Sequence, residues 1–122
     1  MNLADESADL IDFSQIDALL SAAGRDGVND IMDAFWRSTD NLADRLRRQL
    51  DEDDFIEAAK TSHAIKGSAA NVGACRLATA ARTVETFCRN REAAGAIAAL
   101  DDLLRAYAES RQILTAHIDA AA

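Results

Sequence analysis

The sequence contains no proline, five glycines and two cysteines in 122 residues. Without proline, nothing in the chain forbids long unbroken helices. Val, Ile and Tyr are also sparse, which argues against a sheet. Ala, Leu, Asp, Glu and Arg dominate instead, a composition that favours helix nearly everywhere. Cys75 and Cys88 make no C-x-x-C pair, and no His/Cys group has metal-ligand spacing. They read as small apolar residues in a reducing compartment, and no metal site is expected. A basic surplus is missing too: 13 Lys and Arg stand against 21 Asp and Glu, a net charge of −8. That balance disfavours nucleic acid and anionic membrane as partners. No apolar run approaches the roughly 20 residues of a membrane span. The opening "MNLADESADLIDF" lacks the basic and apolar regions of a signal peptide, so a cytoplasmic location is expected.

What is present is helical periodicity. Residues 1–13 are polar and read as a flexible N-terminal segment, followed by one bundle domain over 14–122. Ser14 is placed to N-cap a short helix carrying Ile16, Leu19, Leu20 and Ala23, stopped by "GRDG" at 24–27. A long helix over about 29–50 follows, with the stripe Ile31, Met32, Phe35, Leu42, Leu46 and Leu50. The acidic run Asp51, Glu52, Asp53, Asp54 reads as a loop and helix cap rather than a cation site, because Asp54 with Glu57 fits a capping box. A helix over 55–71 points Phe55, Ala58, Ser62, Ile65 and Ala69 at the core, with Val72 just beyond and Gly73 as C-cap in the turn "NVGA". A further helix over 75–90 carries Leu77, Ala80, Ala81, Val84, Phe87 and Cys88. The last, over 93–118, carries Ile97, Leu100, Leu104, Tyr107, Leu114 and Ile118, interrupted by Arg111. The expected fold is all-α: an antiparallel four-helix bundle with a short additional N-terminal helix across one end.

One stretch breaks the propensity logic. In "SHAIKGSAANVG", Gly67 falls mid-helix, where glycine costs about 0.5–1 kcal/mol relative to Ala. It lies one turn after His63, one of two histidines. His63 is one residue beyond the core position Ser62, and its helical neighbours are Ala59, Lys60, Lys66 and Gly67, with Ala70 a turn further. The imidazole is therefore expected to stand above a low surface with positive charge nearby. If the helices flanking the turn form a hairpin about residue 74, equal rise per residue puts position 85, a glutamate, beside His63 and Arg82 opposite Lys66. A carboxylate on Nδ1–H fixes the tautomer, leaves the Nε2 lone pair outward and stabilises charge developing on the ring. Lys66 can balance an arriving phosphoryl group. The sequence has no P-loop and no kinase Gly-rich loop, so such a chain accepts and donates a phosphoryl group without generating one from ATP.

At these residues the sequence resembles the histidine-containing phosphotransfer (HPt) domain family. The family pattern is roughly His-x-Leu-Lys-Gly-Ser-Ala, then Gly, Leu and later Glu or Gln. Here it reads His63-Ala64-Ile65-Lys66-Gly67-Ser68-Ala69, then Gly73, Leu77 and Glu85, departing only in Ile65 for Leu within the central run. The resemblance covers about residues 14–114. It implies phosphorylation of His63 on Nε2 and exchange with the aspartate of a response-regulator receiver domain, within a two-component pathway fed by a (hybrid) histidine kinase. Lys66 would contact the phosphoryl group, Glu85 would orient the imidazole, and Ala59, Lys60, Gly67, Ala70 and Arg82 would form the docking surface. The chain would be a monomeric carrier without a cofactor of its own, Mg²⁺ coming with the receiver domain. Glutamate at 85 is common in the kinase-linked chemotaxis subset, which leaves direct phosphorylation by a kinase domain in trans as an alternative. Two other readings are weaker. A small-molecule enzyme using His63 needs a pocket where small residues build a flat surface. An inert helical module is expected to have lost His63, Lys66 or Gly67. His117 has no evident partner and reads as surface filler.

Overall fold

The computed structural model describes residues 10–121. Four helices follow one another: α1 (Ser14–Asp51), α2 (Phe55–Asn71), α3 (Cys75–Arg89) and α4 (Ala93–Asp119). Turns of three residues connect them, which folds each helix back antiparallel to the one before. Among the described residues there is no strand.

The turns share one hydrogen-bonding solution. Asp54 N–H donates to Gln49 O at 2.8 Å, Ala74 N–H to Ala69 O at 2.9 Å and Glu92 N–H to Phe87 O at 2.9 Å. Each is the long bond of a Schellman motif and satisfies a carbonyl orphaned at a helix end. The left-handed residue this motif needs is Asp53 (φ 55°), Gly73 (φ 78°) or Arg91 (φ 57°). Only the second is glycine, and there a Cβ would also collide with the carbonyl oxygen of Asp12. Asp54 then caps α2, accepting from Glu57 N at 3.3 Å. The reciprocal half of the expected capping box is absent, because Glu57 pairs with Lys60 at 3.4 Å.

The expected start of the chain needs correction. Ser14 is the first helical residue, not the cap. The carboxylate of Asp12 accepts from Ser14 N (3.0 Å) and Ser14 Oγ (2.7 Å). These two bonds hold the Asp12 carboxyl below its ordinary range. The element Ser14–Asp51 joins two helical stretches across a kink at Gly24 (φ 71°, ψ 175°), so the break expected at 24–27 falls there and the second stretch resumes directly after it rather than at about 29. Positive φ is tolerated by glycine, and the next three residues return to helix. Leu10 and Ile11 are buried, and Asp12 N–H donates to Gly73 O at 2.7 Å, so 10–12 pack against the α2–α3 turn. Residues 1–9 lie outside the described residues.

The core runs through all four helices, with Leu46, Ile65, Leu77, Val84, Leu103 and Leu114 fully buried. In α2 the expected stripe holds: Phe55, Ala58, Ser62, Ile65 and Ala69 are buried, with Val72 beyond the end. The Ser62 hydroxyl is satisfied by Ala58 O at 2.8 Å. In α1 the expected stripe is buried at Met32, Phe35, Leu46 and Leu50, and in α4 at Leu100, Tyr107, Leu114 and Ile118. Ile31 and Ile97 are exposed, while Trp36, Thr39 and Ala43 in α1 and Ala96, Ala99, Leu103, Ala106 and Ser110 in α4 face inward. Tyr107 locks α4 to α1, its hydroxyl donating to Asp40 (2.7 Å) and Trp36 O (3.0 Å). Arg111, which interrupts the stripe, lies over the Trp36 ring at 5.2 Å.

Candidate functional site

The α2–α3 hairpin turns about residue 74, and the count from it holds. His63 of α2 stands beside Glu85 of α3, with Nδ1 3.2 and 3.3 Å from the two carboxylate oxygens. A carboxylate only accepts, so Nδ1 carries the hydrogen and donates. Nε2 is the nitrogen left for chemistry. The His63 side chain is 62 % exposed while that of Glu85 is 8 % exposed. One reactive group thus faces solvent on a fixed, nearly buried anchor.

Glu85 has two further partners. Arg89, one turn along α3, donates to Oε2 from Nη2 at 2.7 Å and from Nε at 3.1 Å. Lys66 of α2 reaches Oε1 at 3.6 Å. Burial pushes the Glu85 carboxyl up, but the bonds from Arg89 and His63 and the charge of Lys66 outweigh it, and the group is held below its ordinary value. It is a carboxylate at neutral pH. Behind it, Cys88 is buried and its thiol is pushed up, first by burial and then by the charge of Glu85, which makes it a poor nucleophile.

The remaining expected site residues divide. Gly67, Ala70 and Arg82 are exposed, and Lys60 is exposed but paired with Glu57. Ala59 does not belong to an open surface: it is 6 % exposed, turned between α2 and α3. It lines a shallow groove with Phe55, Ile56, Lys60, Cys88, Arg89 and Arg91, of which His63 is not a lining residue. Lys66 pairs with Glu85 Oε1 at 3.6 Å. The sequence signal for the Glu85–Arg89 pair is a glutamate followed by arginine at i+4 on one helix. His117 is not surface filler. Its Nε2 lies 2.7 Å from Asp17 Oδ1, and its ring stacks on Phe13 at 4.3 Å.

Gly67 is unlike the other four glycines. Gly24 and Gly73 have positive φ, and a Cβ at Gly27 or Gly95 would press on Ala23 or Phe87. At Gly67 a Cβ would meet nothing within 4 Å. Neither the backbone nor the packing requires a glycine there.

The family model described as the Hpt domain matches residues 30–118. A curated relative, histidine-containing phosphotransfer protein 1 of Oryza sativa subsp. japonica, is 29 % identical over 91 residues, 73 % of this chain. The match spans 62 % of that relative's length. A crystal structure of a histidine-containing phosphotransfer protein from Medicago truncatula superposes with a TM-score of 0.81 at 25 % identity, covering 92 % of this chain and 79 % of that one. A maize histidine-containing phosphotransfer protein gives the same TM-score at 24 % identity, covering 93 % and 86 %, a likeness of fold. A four-helix chain matched over most of its length by that family model, and folded like proteins named for histidine phosphotransfer, belongs to the Hpt domain family.

Proposed function

We propose that this chain is a phosphorelay carrier that accepts a phosphoryl group on His63 and exchanges it with the aspartate of response-regulator receiver domains. The observation that carries the reading is the exposed imidazole whose Nδ1–H is held by the nearly buried Glu85. The Nε2 lone pair attacks the phosphorus of an aspartyl phosphate. The N–P bond forms as the P–O bond to the aspartate breaks, and the bonding pair leaves with the carboxylate. The ring becomes cationic while keeping its Nδ1 proton, and Glu85 stabilises that charge across the hydrogen bond. Lys66 is near enough to move from Glu85 to the phosphoryl oxygens. In return transfer the same steps run backwards.

The chain supplies no ATP-binding motif, so the energy-rich bond comes from a partner, as does the Mg²⁺ that neutralises the aspartyl carboxylate. It acts as a carrier, with most of the catalytic groups in the receiver domain and a (hybrid) histidine kinase upstream, and works as a cytoplasmic monomer. Ala70, Gly67, Arg82 and Lys60 border His63 as the landing surface, with Ala59 beneath. Glu85, where Gln is common in relay proteins, favours a second reading in which a kinase domain phosphorylates His63 directly.

The test is label transfer from ³²P-loaded receiver domains, and separately from kinase domains, to the purified chain. His63→Gln loses all label and keeps the fold, since an exposed substitution stays within about 0.5 kcal/mol. His117→Gln keeps the label. Label that survives in the His63 variant and vanishes in the His117 variant overturns the assignment.

A further inference from the structure

The shortest bonds at Glu85 do not go to His63. Oε2 receives two N–H groups of Arg89, at 2.7 and 3.1 Å, whereas His63 Nδ1 divides itself between both oxygens at 3.2 and 3.3 Å. Lys66 sits on the Oε1 side at 3.6 Å. The carboxylate is nearly buried and has little water to turn to, so these three partners set its direction. Arg89 holds it most tightly, from the same helix. The charged groups acting on the carboxylate are Lys66 and His63 from α2 and Arg89 from α3.

The charges matter as much as the direction. A lone carboxylate against an imidazole favours the imidazolium, which has no lone pair to attack with. Here one carboxylate faces two permanent cations, so a third positive charge on the ring gains little. Once a dianionic phosphoryl group sits on Nε2 and the ring carries its positive charge, the group of charges cancels. The arrangement therefore accommodates the cationic ring once the phosphoryl group is attached.

We infer that Arg89 is a positioning residue for His63, acting through Glu85: it holds the carboxylate in place and takes up enough of its charge to keep the imidazole nucleophilic. The inference rests on His63 being the phosphoacceptor, and it applies because residue 85 is a glutamate. A glutamine there presents an oxygen without charge and has no charge for Arg89 to offset. The Arg89 side chain is itself 65 % exposed, and Lys66 and His63 still face the Glu85 carboxylate without it, so loss of Arg89 leaves the bundle folded.

The test uses the full chain with Arg89→Gln, Glu85→Gln and both together. The His63 ring resonances are followed against pH by long-range ¹⁵N–¹H correlation. Phosphoryl uptake is followed with phosphoramidate, a small donor that needs no partner and releases ammonia as the N–P bond to His63 forms. In the Glu85 chain, Arg89→Gln moves the His63 titration to higher pH and lowers the uptake rate at pH 7 by roughly threefold to tenfold, with the rate regained at higher pH. In the Glu85→Gln chain the same substitution moves the titration far less and costs under about twofold. Equal displacements in the two backgrounds, or none in the Glu85 chain, overturn the inference. So does an equal rate loss in both with unmoved titrations, which makes Arg89 a direct contact of the phosphoryl group. If the wild-type chain takes no phosphoryl group yet the titrations couple as stated, the carrier reading fails and the charge-sharing role of Arg89 stands.

Discussion

Gly67 offers the sharpest separation of stability from function. A Cβ added there meets open space, and the backbone is helical without positive φ. Gly67→Ala therefore makes no new contact and loses none. What remains is propensity: alanine is favoured over glycine in a helix interior by about 0.5–1 kcal/mol, largely because the unfolded chain has fewer states to lose. For a domain of this size that is roughly 2–5 °C in Tm, or about 0.3–0.6 M in a urea midpoint. Gly67→Gln is expected to be neutral or stabilising as well, since Gln ranks close to Ala in helices.

Function is expected to move the other way. Gly67 is one turn from His63 on the exposed side of α2, so a Gln there overhangs the imidazole and the ground a receiver domain would occupy in the proposed relay. Transfer from a phosphorylated receiver falls by about tenfold or more, because small displacements of reacting groups carry large rate costs. Uptake from phosphoramidate, which needs no docking, suffers much less. The measurements are urea denaturation of the three proteins beside both transfer assays. If Gly67→Ala loses more than about 1 kcal/mol, the glycine belongs to the packing and this reasoning is wrong. Unchanged receiver transfer in the Gln variant refutes the landing-site account even if stability rises.

Three other outcomes follow from the geometry. Glu85→Gln keeps an acceptor for Nδ1–H and slows receiver transfer by less than about tenfold, whereas Glu85→Ala loses the anchor and falls toward the low end of the 10²–10⁴-fold range of orienting groups; equal rates in all three proteins remove Glu85 from the mechanism. Because the Glu85 carboxyl is held below its ordinary value, its contribution to stability is fully present above the ordinary carboxyl range and is lost as pH falls through its own lower one. The stability gap between wild type and Glu85→Gln therefore closes on acidification from pH 7 toward about pH 3 in denaturant titrations, and a gap of constant size contradicts the ion pairing. Gly73→Ala places a side chain at φ 78° and against the Asp12 carbonyl, and is expected to cost at least about 1–2 kcal/mol in the same assay; a neutral result means the docking of 10–12 is dispensable.

The parts of this molecule legible in the sequence are those governed by neighbours in the chain. The caps and turns gave the ends of α2 and the start of α3 because Asp54 and Gly73 act within a few residues. Facing of α2 was legible because its large apolar residues fall on one line. In α4 the inward face interleaves the small residues Ala96, Ala99, Ala106 and Ser110 with Leu100, Leu103, Tyr107, Leu114 and Ile118, while Ile97, a large apolar residue of the expected stripe, points outward. A helix rich in small residues allows close approach on more than one face, and only its neighbours decide which. The same holds for His117, whose partner Asp17 is 100 residues away in sequence. Arg89 was legible in principle as an i+4 pair. Such pairs usually decorate solvent-facing helices, and this one matters because Glu85 is buried.

The pairing of His63 with Glu85 is a matter of register, and register is set at the turn. The two residues are equidistant from residue 74, and each residue added between α2 and α3 would turn the following helix by about 100° and shift it by about 1.5 Å. A single insertion would carry Glu85 off the α2 face and leave His63 with no anchor, although the core stripe of each helix stayed intact. The turn is accordingly fixed from three sides. The Ala74 to Ala69 bond closes it, Gly73 alone fits its left-handed position, and Asp12 N–H ties it to the start of the chain. Gly73 and Gly67 thus serve the same histidine by opposite means. One is needed because a Cβ at that left-handed position would collide with the Asp12 carbonyl, and its effect on His63 travels through register. The other is structurally replaceable, since a Cβ there meets open space, and in the proposed relay its effect on His63 comes from what it leaves uncovered.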